Sequence, residues 1–212
     1  MSNNGVEVLD SARAFIRREA AAIDRLAHSL DGSFLDVVHR VLATTGKIVT
    51  TGAGTSGIAA ERLAHLLSVS GTPAFYLSGQ DALHGGMGAI TPTDTVIALS
   101  KTGQSAELTE LVTRLAERAV HVIAVTGNSD SPFARAAGSV ALVETKPGDA
   151  DPGGLIAMGS TLVAGAWGDA LATTVMTLRG YPWHDVINTH PAGYVGQQAQ
   201  TPDADLQTAG AE

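Results

Sequence analysis

At 212 residues, 44% of them hydrophobic, the chain is long enough to bury one substantial core, and it fits a single domain better than two. Its formal net charge of −8 argues against a general nucleic-acid-binding protein, because such proteins neutralise phosphates with a basic face. The sequence contains no cysteine, which excludes disulfides, thiolate metal sites and a cysteine nucleophile.

The first part of the chain is predicted to be helical. Apolar residues recur near the helical period from about 6 to 30, and a second helix is expected over 34–43. We assign residues 1–45 to these N-terminal helices, which should pack on the following domain and on a partner subunit. The first residues lack a basic segment followed by an apolar one, so we expect a cytoplasmic protein.

From residue 46 to 198, short apolar segments alternate with amphipathic ones. Predicted strands lie at 48–51, 74–77, 96–99, 121–125 and 140–143, and predicted helices at 56–70, 105–118 and 131–137. We interpret 78–93 as a Gly-rich loop and 199–212 as a flexible tail. The alternation predicts an α/β fold, a doubly wound five-stranded parallel sheet in a three-layer, flavodoxin-like sandwich.

A long apolar segment at 155–178 has the length of a membrane span. Asp169 would cost roughly 2.5–3.5 kcal/mol at the centre of a bilayer, and several Gly, Ser and Thr residues make the segment less apolar than a typical span. We therefore expect a helix buried within the protein or in a subunit interface, and no membrane partner.

Two polar loops follow predicted strands: Gly52–Gly57, and Ser100–Ser105 with three hydroxyl groups. A loop that enters a helix N-terminus offers backbone N–H groups, hydroxyl donors and the positive end of the helix dipole. Both loops fall at strand carboxyl ends, where ligands bind in such sheets. The second loop indicates a site for phosphate or another small anion, although an ordinary turn whose Ser105 caps the helix has the same pattern.

The first loop also has the G-x-G-x-x-G spacing of dinucleotide-binding domains. That fingerprint usually opens its domain, whereas about 46 residues precede the strand here, and no acidic residue ends the second strand at 77–80 to bind a ribose hydroxyl. Two hydroxyl-bearing loops suit a phosphomonoester better, so we expect no cofactor.

In their spacing, the two loops resemble those of the sugar isomerase (SIS) domain. More narrowly, the segments 84–92, 168–172 and 188–193 are similar to the KpsF/GutQ-like arabinose-5-phosphate isomerase branch. The resemblance extends over about 10–198. Many members of that branch carry paired CBS modules after the SIS domain, and we expect a protein without them.

The resemblance implies interconversion of an aldose and a ketose phosphate through an enediol, which needs a phosphate anchor and a proton carrier. By similarity, His84 and His190 fall on active-site histidines, and a neutral imidazole can take and return a proton. The implied anchor is Ser56, Ser100, Thr102 and Ser105, and Gly54, Thr55 and Lys101 complete the predicted substrate-binding set.

Departures from the branch fall where substrate chemistry is decided. Thr55 stands where lysine is usual, and Lys101 is a possible replacement cation. Gln104 stands where glutamate is usual, and an amide cannot abstract a proton. Asp149 lies where the branch carries a glutamate. The base is then Asp149, a histidine, or missing.

His65 is a further catalytic candidate, because heptose-phosphate isomerases of the same superfamily place a carboxylate near this point. A lone histidine on an apolar helix is, however, more often structural. No spaced ligand motif demands a metal, although His84, His190 and Asp149 are conceivable ligands.

We therefore predict a phosphosugar aldose–ketose isomerase with an altered substrate. A non-catalytic phosphosugar-binding or sensor protein is the alternative. Related SIS proteins are dimers or tetramers with sites between subunits, so the resemblance implies a homo-oligomer, with a tetramer favoured over a dimer, in which His190 reaches a neighbour's site.

Overall fold

The computed structural model describes residues 3–144 and 150–197. The predicted tail and Asp149 lie outside these described residues. Five parallel strands form one sheet in the order β2-β1-β3-β4-β5. The strands are β1 (Ile48–Gly52), β2 (Ala74–Tyr76), β3 (Thr95–Leu99), β4 (His121–Thr126) and β5 (Ser139–Leu142).

Helices lie on both sides of the sheet, so the doubly wound three-layer fold is confirmed. They are α1 (Asn3–Ser29), α2 (Gly32–Ala43), α3 (Thr55–Val69), α4 (Gly79–Leu83), α5 (Ala106–Glu117), α6 (Pro132–Ala136), α7 (Gly159–Arg179) and α8 (Trp183–Asn188). Single 3₁₀ turns occur at Gly86–Ala89, Pro152–Gly154 and Val195–Gln197.

Alternate side chains of each strand feed two hydrophobic cores. In β3, Ile97 and Leu99 join the core formed with α2, α3 and α7, whereas Val96 and Ala98 join the core formed with α4, α5 and α6. Because both faces of the strand are covered, it is apolar throughout, which is why an uninterrupted apolar segment predicted it correctly.

The long apolar helix α7 is buried mainly by its own chain. It packs against α3, α1 and α2, and its Trp167 ring meets Phe34 edge to face at a centroid distance of 6.3 Å. Across the ranges that the structure describes, no helix combines the length and the apolarity that a bilayer crossing requires. The interpretation of this segment as a buried helix is confirmed.

Two sequence predictions needed correction, and one helix was missed. The long helix begins at Gly159, not at residue 155, because Asp151 caps its amino end and the preceding residues form a 3₁₀ turn. The predicted loop at 78–93 contains α4, whose first turn is capped by the Ser78 hydroxyl. The short helix α8 was not predicted.

Candidate active site

The site lies where the strand order changes direction. β1 and β3 are neighbours in the middle of the sheet, and the helices that follow them, α3 and α5, pack on opposite faces. In open parallel sheets this switch point leaves a crevice beyond the strand carboxyl ends, where ligands bind. The two predicted anion loops therefore lie side by side at its mouth.

The first loop turns directly from β1 into α3. Gly54 precedes the helix with φ of 56°, a left-handed conformation that glycine adopts without strain. Thr55 is the first helical residue and is exposed, whereas Ser56 is half-buried. The unpaired N–H groups of this first turn point out of the helix end, as anion sites require.

The second loop is held in a tight turn by Gly103, whose φ is 65°. A Cβ at this position would collide with the Ser131 side chain, so only glycine fits. Ser105 caps α5, as the alternative interpretation of this loop expected, since its Oγ accepts a hydrogen bond from the Leu108 amide at 3.3 Å. A hydroxyl that accepts one bond still has its proton to donate, so the cap leaves Ser105 able to bind an anion.

Exposure divides the remaining residues of this loop. Ser100, directly after the central strand β3, is only 7% exposed, whereas Thr102 and Gln104 are open to solvent. The loop thus offers hydroxyl donors at two depths.

A cavity beneath the loops is lined by further hydroxyl groups that the sequence analysis missed. Besides Ser56 and Ser100, its walls include Thr126 at the end of β4 and Ser160 and Thr161 in the first turn of α7. The Ser160 Oγ is buried close to the carboxylate of Asp151. The sequence signal was the polar stretch Gly159-Ser160-Thr161. The sequence analysis placed this stretch inside a helix from 155, whereas the helix begins at Gly159.

The Lys101 side chain forms an ion pair with Asp151, a residue that the sequence analysis did not single out. The other carboxylate oxygen of Asp151 accepts hydrogen bonds from the Met158 and Ser160 amides at 2.9 and 3.0 Å. Burial alone would raise the pKa of Asp151, but its bonds with Lys101 and the Ser160 amide outweigh this and hold the pKa below its usual range.

His84 ends α4, in the segment that follows the carboxyl end of β2. The two loops follow the carboxyl ends of β1 and β3. Its side chain is exposed, and α4 packs against α5, the helix that begins at the second loop. The fold thus brings His84 to the carboxyl end of the strands, where both loops also lie.

His190 follows α8, the short helix that comes after α7. The helix α7 begins beside Lys101, and its 21 residues carry the chain about 30 Å towards the amino ends of the strands. There, Arg179 donates to the Val41 carbonyl and Tyr181 contacts Gly71. His190 comes eleven residues after Arg179, so the segment that leads to it starts at the amino ends of the strands, opposite to the loops.

The ring of His190 is held in a defined orientation. Its Nδ1 lies 2.6 Å from the Val186 carbonyl oxygen, which can only accept a hydrogen bond. Nδ1 therefore carries the proton, and the lone pair of the neutral ring lies on Nε2. This arrangement leaves Nε2 free to act as a base.

The other candidates lie apart from the two loops or beyond what the structure describes. His65 is exposed on α3, ten residues after Thr55, or about 15 Å along the helix. Asp149 lies outside the described residues. Within 3–144 and 150–197, no three His, Asp or Glu side chains gather closely enough to hold a metal ion.

Solved structures resemble this fold closely. A protein from E. coli CFT073, solved in complex with arabinose 5-phosphate, is 28% identical with a TM-score of 0.85, and the match covers 90% of this chain and 100% of that one. A structure from Listeria monocytogenes is 32% identical with a TM-score of 0.81, covering 91% and 100%.

Comparison of the sequence with those of known proteins points to the same group of relatives as the solved structures. The arabinose 5-phosphate isomerase KdsD of Pseudomonas aeruginosa is 35% identical over 198 residues, which are 93% of this chain. The chain spans about 60% of the length of that curated relative. The model of the SIS domain matches residues 41–173, from the end of α2 through most of α7. The chain therefore belongs to the SIS domain family, as its two loops indicated.

Proposed function

We propose that this protein is a phosphosugar aldose–ketose isomerase that acts on arabinose 5-phosphate or a related sugar phosphate. The observation that supports this most is the pair of hydroxyl-rich loops, each entering a helix N-terminus, at the β1–β3 switch point. Its similarity to KdsD and to the E. coli structure with bound sugar phosphate supports the same substrate class.

In this proposal the phosphate is bound by neutral donors. Ser56 and the amides of the first turn of α3 approach from one side, and Ser100, Thr102 and Ser105 from the other. Charge-assisted hydrogen bonds to a dianion are stronger than neutral ones, so several hydroxyl groups suffice to anchor it.

Proton transfer then needs a base near the carbon alpha to the carbonyl group. His190 is the candidate with the clearest chemistry, since its Nδ1–H is fixed and its Nε2 is free. Because α7 ends at the amino ends of the strands, away from the loops of its own chain, we propose that His190 serves a neighbouring subunit in a homo-oligomer. His84, on the side of the sheet that carries the loops, is the candidate for ring opening.

The test is incubation of the protein with arabinose 5-phosphate in deuterated water. An isomerase forms the ketose phosphate and exchanges the proton alpha to the carbonyl, whereas a sensor binds without exchange. The Ser100→Ala, Thr102→Ala double variant should bind about 30- to 1,000-fold more weakly, because it loses two hydrogen bonds to a charged group. Thr113→Ala, on the exposed face of α5, is the control and should bind normally. Binding without exchange in the wild type would favour the sensor.

Gln104 should orient the substrate and not move protons. We expect Gln104→Ala to lower turnover by only about tenfold, the value of one hydrogen bond, and Gln104→Glu to be tolerated or to change the range of sugars accepted. Turnover of both variants is measured on the same panel of sugar phosphates. A loss of four orders of magnitude in the alanine variant would place the chemistry on this residue and contradict the assignment.

A further inference from the structure

Lys101, the basic residue of the second loop, already forms an ion pair with a carboxylate. Lys101 lies between Ser100 and Thr102, yet its ammonium pairs with Asp151 at the amino end of α7. Its backbone is also held, because the Lys101 carbonyl accepts a hydrogen bond from the Gly127 amide at 2.9 Å. The residue therefore connects the phosphate loop with both β4 and α7.

Asp151 makes this arrangement costly to break. The residue is only 3% exposed, and its carboxylate is fully used, with one oxygen capping α7 and the other bound to Lys101. If Lys101 turned towards a bound phosphate, it would leave a buried carboxylate without its counter-ion, which is strongly unfavourable. The lysine itself is 34% exposed in its side chain, so it is the more mobile partner.

We propose that Asp151 is a positioning residue that holds the Lys101 ammonium away from the anion site, so that the substrate phosphate is bound by neutral donors alone. This inference rests on the proposed function and corrects its sequence-based version, in which Lys101 binds the phosphate. The consequence is a site that binds a dianion less tightly than a site with a lysine ligand would. The product, a sugar phosphate, can then leave readily.

The variant Asp151→Asn separates the two functions of the carboxylate. Its amide oxygen can still accept from the Met158 and Ser160 amides, but it no longer neutralises Lys101. The freed ammonium, on its flexible stem, can then turn towards the loop. We expect inorganic phosphate, titrated calorimetrically at low ionic strength, to bind about three- to fivefold more tightly to this variant, the value of one exposed ion pair. At high salt the gain should disappear through screening.

Further variants make the result specific. Lys101→Met, Asp151→Asn, in which both partners are neutral, should return to the wild-type affinity, because the gain requires the lysine. In Lys101→Met alone, the buried Asp151 carboxylate would lose its counter-ion and destabilise the fold, and the double variant avoids this. Asp169→Asn is the matched control: it releases Arg62 from an exposed pair between α3 and α7 and should leave phosphate binding unchanged.

The outcomes distinguish this inference from the proposed function. If Asp151→Asn binds phosphate no more tightly than the wild type, Asp151 does not hold Lys101 away from the site and the inference is wrong. If the double variant binds phosphate tenfold more weakly than the wild type, Lys101 is itself a phosphate ligand, which also contradicts the inference. If the wild type binds neither inorganic phosphate nor arabinose 5-phosphate, the proposed function fails as well.

Discussion

Replacing His190 by alanine is expected to lower the turnover of arabinose 5-phosphate by about 10²- to 10⁴-fold, the usual contribution of a general acid–base group. Phosphosugar binding should remain close to that of the wild type, because the variant keeps both anion loops. The loss should therefore fall on kcat and not on KM.

Complementation between subunits tests where this histidine acts. A His190→Ala chain retains intact loops, and a Ser100→Ala, Thr102→Ala chain retains the histidine. If each site combines the loops of one chain with the His190 of another, mixed oligomers regain activity that neither parent has. Sedimentation of the wild type should show a dimer or a tetramer.

The control for this experiment lies in α8, the short helix that precedes His190. His184 is exposed and pairs with Asp185 at 3.2 Å, so His184→Ala should keep nearly full turnover. A monomeric protein, or no recovery of activity despite demonstrated subunit exchange, would contradict the shared site.

Asp94→Ala is expected to lower the free energy of unfolding by about 3 kcal/mol or more. The Asp94 side chain is fully buried and accepts hydrogen bonds from the Lys47 amide at 2.7 Å and from the Thr91 amide at 2.8 Å. It also accepts from the Thr91 hydroxyl and pairs with the Lys47 ammonium. Alanine leaves two backbone donors without partners where the chain enters β1 and β3, and urea unfolding at neutral pH measures the cost.

The same residue predicts a dependence of stability on pH. Burial alone would raise the pKa of Asp94, but its bonds with Lys47 and Thr91 outweigh burial and lower the pKa. A carboxyl group with a lowered pKa in the folded state stabilises fully above the unfolded pKa of about 4, and this contribution is lost as the pH falls through the folded value. The stability difference between the wild type and Asp94→Asn should therefore shrink in acid.

A surface carboxylate provides the comparison. Asp36 is exposed on α2, so Asp36→Asn should change the free energy of unfolding by less than about 0.5 kcal/mol. An Asp94→Asn difference that stayed constant between neutral and acidic pH would show that hydrogen bonding, and not the charge, carries the stabilisation.

Local patterns in the sequence were sufficient for the fold and for the position of the two loops that we predict to bind an anion. Val96–Leu99 is apolar because both faces of β3 are covered, and Ser105 caps α5 through a contact three residues away. Parallel strands place their carboxyl ends at one edge, so two loops separated by about fifty residues could be predicted to meet. These are consequences of short-range chemistry and of sheet geometry.

The direction of Lys101 and the place where α7 ends, from which the chain leads to His190, depended on the tertiary structure. Lys101 turns to Asp151, fifty residues later, because only the packing of α7 brings that buried carboxylate within reach. The same packing explains why α7 starts at Gly159, since its cap comes from a side chain outside the helix. The length and direction of α7 place its carboxyl end, eleven residues before His190, at the amino ends of the strands. Such long-range contacts leave no periodic signal in the sequence, because they are decided by how whole elements pack.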